Sequence, residues 1–341
     1  MKVRSKAPLR LGIAGGGTDV SPYSDVYGGC VLNATINMYA NTFVDDNAAS
    51  GFVEFHAKDL GIYDSIDISK EFSIDGPLLL HRAVYKTIMD EFNSGQYISL
   101  KVTTFCDAPP GSGLGSSSSM VVSMLECYRQ LLNLPFGEYD LAKLAYHIER
   151  VVCGLSGGKQ DQYAATFGGF NFIEFSADDH VIVNPLRIRR HIINELEASL
   201  VLVYLGTSRD SAKIINDQIR TIKDEGRSLE AMHKVKEAAF LIKSLLLKGQ
   251  IMRLAEEFKL SWEAKKATSG SISNGMIANL EKRILDGEAI SMKVSGAGGG
   301  GFAMVFVTPE LRTDLITRIE NFGLTTQPFN FVRDGVISWT I

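Results

Sequence analysis

Residues 108–119 read Ala108-Pro109-Pro110-Gly111-Ser112-Gly113-Leu114-Gly115-Ser116-Ser117-Ser118-Ser119. Three glycines and five serines crowd into this one short segment, which has almost no apolar side chain to bury. It offers backbone N–H groups, hydroxyls and, because a helical pattern opens directly behind it, the positive end of a helix dipole. Those are the requirements for holding a phosphate. The spacing excludes the two commonest nucleotide loops. A Walker A loop needs a Lys after its last glycine, and Ser116 follows Gly115. Gly111-Ser112-Gly113-Leu114-Gly115 lacks the Rossmann spacing, and Pro109-Pro110 makes a loop rather than a tight strand-to-helix turn.

Outward from this loop, Tyr97 to Phe105 is rich in β-branched and aromatic residues and reads as the strand that enters it. Behind it, Ser119, Ser123, Glu126, Gln130 and Asn133 recur at helical steps, with Met120, Met124, Cys127, Tyr128 and Leu131 on the other side. A second helix over Tyr139–Val152 carries Leu141, Leu144, Ala145, Ile148 and Val152 on one stripe. Lys143, His147 and Arg150 point away, and Glu149 sits at the stripe's edge. Leu9–Ala14, Cys30–Val44 and Phe52–Ala57 read as strands, and Pro77–Phe92 as a helix. Beyond an apolar-pattern break near 180–195 come a strand at Leu200–Leu205, a helix-rich block from Ser211 to Leu285, and strands at Ile290–Ser295 and Phe302–Val307. A helix capped by Thr308-Pro309 and a closing strand at Val336–Ile341 finish the chain. Without regular βαβ alternation, the pattern favours two α+β domains, 1–185 and 186–341.

Two further glycine loops stand at Gly15-Gly16-Gly17-Thr18-Asp19 and Gly296-Ala297-Gly298-Gly299-Gly300-Gly301. Taken together, the three segments resemble the motifs of the GHMP kinases (galactokinase, homoserine kinase, mevalonate kinase, phosphomevalonate kinase). Pro110–Ser118 is similar to their ATP-binding signature, Ala7–Asp19 to their N-terminal motif and Lys293–Phe302 to their C-terminal motif, in family order. Glu149–Gln162 resembles the segment carrying a metal-binding Glu and a catalytic Asp. The resemblance implies an N-terminal domain like ribosomal protein S5 domain 2, a ferredoxin-like C-terminal domain, and a site between them.

It also implies roles. Pro110, Gly111, Ser112, Gly113, Leu114, Gly115, Ser116, Ser117 and Ser118 would wrap the triphosphate of ATP. Ser117 and Glu149 would hold Mg²⁺, a hard ion that prefers oxygen ligands. Asp161 would accept the proton of the attacking hydroxyl, with Arg10 stabilising Asp161 or the transferring charge. Gly16, Gly17, Thr18, Asp19, Lys159, Gly298 and Gly299 would face the substrate. Read without the resemblance, Glu149 is equally a carboxylate on a helix flank, Asp161 a cap for a helix over 162–166, and Ser117 a cap of its own helix.

Asp19 suits a polyol, because a carboxylate accepts two hydroxyl protons. The ungapped Arg10–Tyr23 run resembles the branch acting on D-glycero-D-manno-heptose 7-phosphate and its fucokinase-like relatives. Gly16-Gly17 stands where galactokinases carry a Glu-His pair, which leaves room for a larger or already phosphorylated sugar. The implied reaction is phosphorylation of the anomeric hydroxyl to the 1,7-bisphosphate. A free-sugar kinase is the alternative within the family. A non-catalytic sugar or nucleotide sensor is the alternative outside it, and it would be expected to have lost Asp161, Glu149 or a glycine loop. Lys159, Arg209 and Lys213 are the candidates for a substrate phosphate. With 45% apolar residues, a formal charge of -4 and no dense Lys/Arg run, the expected partner is a small-molecule sugar or sugar phosphate. Nucleic acid and membrane are not expected as partners, and a homodimer is left open. Four scattered cysteines and no leader pattern point to a cytoplasmic protein.

Overall fold

The computed structural model describes residues 2–206, 211–223 and 226–341. Its first sheet is built on two long strands, β1 (Lys2–Ala14) and β2 (Gly29–Asp45), with the short helix α1 (Tyr23–Tyr27) in the connection between them. The hairpin β3 (Phe52–Ala57) and β4 (Ile62–Asp67) follows, then helix α2 (Leu79–Phe92) and strand β5 (Leu100–Cys106). Helices α3 (Ser116–Leu131), α4 (Glu138–His147) and α5 (Gln160–Phe167) lead to the strand pair β6 (Phe170–Phe175) and β7 (Val181–Pro185).

β2 is long enough to serve two neighbours. Its first half pairs β6 through Gly29–Ala34, and its second half pairs β5 through Ala40–Asp45. β3 and β5 run parallel, and the other pairings described here are antiparallel.

The rest of the chain builds a second layer. Helix α6 (Arg190–Ser199) and strand β8 (Leu200–Tyr204) precede four helices, α7 (Ser211–Lys223), α8 (Arg227–Leu247), α9 (Ile251–Thr268) and α10 (Gly275–Leu285). Strands β9 (Ala289–Val294) and β10 (Phe302–Val307), helix α11 (Arg312–Asn321) and strand β11 (Thr325–Gln327) complete an antiparallel sheet in the order β11-β8-β10-β9. This is the split βαβ arrangement, in which helical crossovers put the first and third strands at the centre. The last strand, β12 (Ile337–Thr340), returns to the first sheet and pairs β1. The expected boundary at 185/186 falls between β7 and α6, but the final strand places the C-terminus with the first sheet. No helix among the described residues is long and apolar enough to cross a membrane.

One apolar core runs between the layers. It joins Leu9, Leu11 and Leu32 of the first sheet to Leu202, Met304 and Phe306 of the second and to Leu254 and Phe258 of α9. A second core packs α2 and α3 on the other face of the first sheet. There, Ser119, Ser123 and Glu126 of α3 are as buried as its apolar side, because they face β1 and β12 rather than water, while Gln130 is exposed. Ser119 donates to the Pro8 carbonyl at 3.0 Å, Ser123 meets Ser5 at 2.7 Å, and Glu126 takes Arg129 and Ser338. Thr308 makes no side-chain cap, and the helix behind it opens instead with a short 3₁₀ turn at Pro309–Leu311.

His81 of α2 is buried against Thr104, with its Nε2 2.8 Å from the hydroxyl. Burial pushes its pKa from 6.5 down to about 4. The native imidazole is therefore neutral, and its contribution to stability is full above about pH 6.5 and is lost as pH falls towards 4. Urea unfolding at pH 7 and pH 4.5 should show the wild type losing about 2 kcal/mol more than His81→Gln over that interval.

Candidate active site

β5 hands the chain to the serine-glycine loop, and α3 starts at Ser116, so the first-turn N–H groups face back across the loop. The loop is held from behind. Leu114 is its buried anchor, and the Leu114 carbonyl accepts the Arg10 N–H at 3.0 Å. Ser112 accepts the Phe302 N–H at 2.8 Å, and Ser295 Oγ donates to the Gly113 carbonyl at 3.0 Å. Gly113 adopts a left-handed φ of 75°. A Cβ there would lie 2.6 Å from the Ser295 carbonyl oxygen, and one on Gly296 would lie 2.9 Å from the Gly113 Cα. The second and third glycine loops thus touch backbone to backbone.

Arg10 crosses this junction. Its Nη1 donates to the Gly113 carbonyl at 2.5 Å, and its Nε and Nη2 reach Asp161 Oδ1 at 2.7 and 2.6 Å. Asp161 stands in the first turn of α5, not at its cap, and its carboxyl lies 3.2 Å from where a Cβ of Gly115 would be. Beside it at the start of α5, Asp19 accepts the N–H of Gly17 at 3.1 Å and of Gln160 at 3.0 Å. Arg10, Gly16, Gly17, Asp19, Ser117 and Asp161 line one cavity of about 260 Å³. Gly111, Ser116 and Ser117 also border a second cavity of about 280 Å³ on the other side of the loop, walled by Leu60, Leu78, Cys106 and Met120.

Glu149 is neither on a flank nor at an edge. α4 runs into a single π turn, Ile148–Val152, which rotates Glu149 into the interior, where it is fully buried. Its carboxylate accepts from Ser117 Oγ, from Ser118 Oγ at 2.6 Å and from Gln162 Nε2 at 2.5 Å. Ser117 is exposed at the cleft. The Ser117 hydroxyl at the lip of the phosphate loop and the buried Glu149 carboxylate it touches are hard oxygen donors. They fit a divalent ion that takes its other ligands from phosphate and water. Arg150 does not point away: its guanidinium folds over Gly157, and the residue lines the cleft.

Other expected residues lie elsewhere. Thr18 is buried and bonds the Gly15 and Cys30 carbonyls at 2.8 Å. Lys159 is paired with Asp179 at 2.6 Å and stays outside the cleft lining. Gly298 and Gly299 pack on Ile272, while their neighbours Gly296 and Ala297 line the cleft. Pro110 borders the second cavity. Lys213 is exposed on α7, and Arg209 lies outside the described residues.

The sequence reading missed Lys265, Gln160 and Gln218, all cleft-lining. Lys265 carried a faint signal, since it falls on the apolar stripe of Leu254, Phe258 and Trp262. Burial pushes its pKa down to about 8, with Arg10 adding to the effect and Asp19 and Asp161 opposing it.

Known proteins share this sequence pattern and fold. The GHMP kinases N-terminal domain family matches residues 79–169. The chain is 43% identical over 340 residues to D-glycero-alpha-D-manno-heptose 7-phosphate kinase of Campylobacter jejuni, covering 99% of each. The crystal structure of a D-glycero-D-manno-heptose 1-phosphate kinase from Bacteroides thetaiotaomicron superposes with a TM-score of 0.84 at 43% identity, covering 99% of both chains. Lactococcus lactis galactokinase complexed with galactose shares the fold, with a TM-score of 0.73 at 16% identity, covering 100% of this chain and 95% of that one.

Gly158 sets the position of Asp19, since a Cβ there would lie 2.0 Å from Asp19 Oδ2. Gly158→Ala should therefore raise the KM for the phosphoryl acceptor at least tenfold while the KM for ATP stays within about twofold. Steady-state kinetics with each substrate varied in turn checks this.

Proposed function

The chain belongs to the GHMP kinases, and on that premise we propose that it transfers the γ-phosphoryl group of ATP to the anomeric hydroxyl of D-glycero-D-manno-heptose 7-phosphate, giving the 1,7-bisphosphate. It is an ATP-dependent sugar kinase. The observation that supports this reading is the pairing of Arg10 with Asp161 beside Asp19, in a cleft walled by the serine-glycine loop.

The loop's N–H groups and the start of α3 receive the phosphates, and the apolar cavity beyond it, next to Leu60, Leu78 and Met120, is the right size and character for the base. Ser117 and Glu149 would hold Mg²⁺, which when bound neutralises phosphate charge and orients the transferring group. Asp19 accepts hydrogen bonds from sugar hydroxyls. Asp161, oriented by two hydrogen-bonding contacts from Arg10, takes the proton of the attacking hydroxyl as the bond to phosphorus forms. The rest of the Arg10 guanidinium faces the side where charge develops, and its bond to Gly113 fixes it to the phosphate loop. Gly16 and Gly17 add no side chains of their own to the acceptor side, which Lys265, Gln160 and Gln218 line. A free-sugar activity of the fucokinase type is the second reading. The four free cysteines support a reducing, cytoplasmic setting.

Heptose 7-phosphate should be turned over far faster than fucose, galactose or mannose in an ATP-consumption assay, with NMR placing the new phosphate on the anomeric carbon. A preference for a free sugar would overturn the heptose reading. Asp161→Asn should keep ATP binding, by calorimetry, and lose 10²–10⁴-fold in kcat. Near-normal turnover would remove Asp161 from the mechanism.

A further inference from the structure

Lys265 is a buried cation of the cleft that the steps above leave unused. It projects from α9, on the same face as the buried Trp262, and is only 3% exposed. An ammonium carries three donor hydrogens. Among the described residues this one donates a single hydrogen bond, to the Gly296 carbonyl. Gly296 is itself partly exposed and borders the cleft, so water could serve that carbonyl equally well.

The charged groups around the ammonium come from every side. Arg10 of β1 and Lys293 of β9 oppose its charge, while Asp19 and Asp161 favour it. A Cβ on Gly16 would stand 3.6 Å from Nζ. The ammonium therefore overlooks the backbone of Gly16, in the cleft that Asp19 and Asp161 also line. Keeping a cation here, beside two others and away from water, is costly for the fold. Met would fill the same space without that cost.

The chemistry of the acceptor supplies the reason. Asp19 and Asp161 can only accept hydrogen bonds when ionised. A sugar hydroxyl that donates to either still has lone pairs that need a donor. The donor has to sit beside the carboxylates, and Lys265, held by the Gly296 carbonyl, lines the same cleft as both. We infer that Lys265 is a substrate-binding residue, whose two further N–H groups take the oxygens of the acceptor sugar between Asp19 and Asp161. The inference rests on the sugar-kinase reading of this cleft. It makes the acceptor site a joint product of both layers, with carboxylates from the first and the ammonium from α9.

The test uses Lys265→Met and Lys265→Gln, assayed with whichever sugar or sugar phosphate the wild type turns over fastest. Preference of the wild type for a sugar other than heptose 7-phosphate would sink the heptose reading while leaving this test intact. Turnover of no sugar at all would remove both. For Lys265→Met the acceptor KM should rise about 10- to 100-fold, as for a lost charged hydrogen bond. The ATP KM should stay within about twofold, and Tm should hold or rise because a buried charge is gone. Lys265→Gln, which keeps a donor, should fall between the two. An unchanged acceptor KM, an ATP KM rising in step, or variants that unfold or melt earlier would mark Lys265 as a structural tie and overturn the inference.

Discussion

Two glycine loops from different sheets meet with no side chain between them. A Cβ on Gly296 would collide with Gly113 and one on Gly113 with the Ser295 carbonyl, and hydrogen bonds from Ser295 and Phe302 lock the contact. Everything at the site is referenced to that junction. It sets the height of the phosphate loop against β1. It also brings Arg10 near enough to bond the Gly113 carbonyl and Asp161 at once. The same closeness leaves little freedom for the layers to hinge there, because main chain on main chain has no soft side chains to yield.

Around the junction, charges of both signs crowd together. Arg10 and Lys265 line the cleft with Asp19 and Asp161, and the buried Lys293 donates to the Ile13 carbonyl at 2.8 Å. A protein of formal charge -4 thus assembles a local cationic wall without a basic surface. Burial holds both Lys265 and Lys293 below the usual lysine range. Clustered cations away from water reduce stability, and sites of function are where such costs persist.

Much of this was legible in residue order. Glycine and serine runs announce a backbone cradle because little else in the chain could use them. β3 and β10 match their sequence spans, and the strand into the loop and the helix out of it were both expected, since local pattern decides such elements. Short β4, β6, β7 and β11 went unread, because their pairing comes from distant partners rather than from their own alternation. The burial of the serines of α3 was not legible for a related reason. Serines at helical spacing look solvated until β1 supplies carbonyls and hydroxyls to bury them against.

The order of residues determined the parts: three glycine loops, two carboxylates, an arginine on a strand, and a family pattern that joins them. Those features are local or sequential, so a linear string can carry them. Only the tertiary structure decided which of them converge. The π turn buries Glu149 behind Ser117, Thr18 and Lys159 turn to other partners, and Lys265 arrives from a helix about 100 residues beyond Asp161. Such meetings depend on how two sheets stack, and stacking is set by the shared core of Leu9, Leu32, Leu202 and Phe306 rather than by any motif.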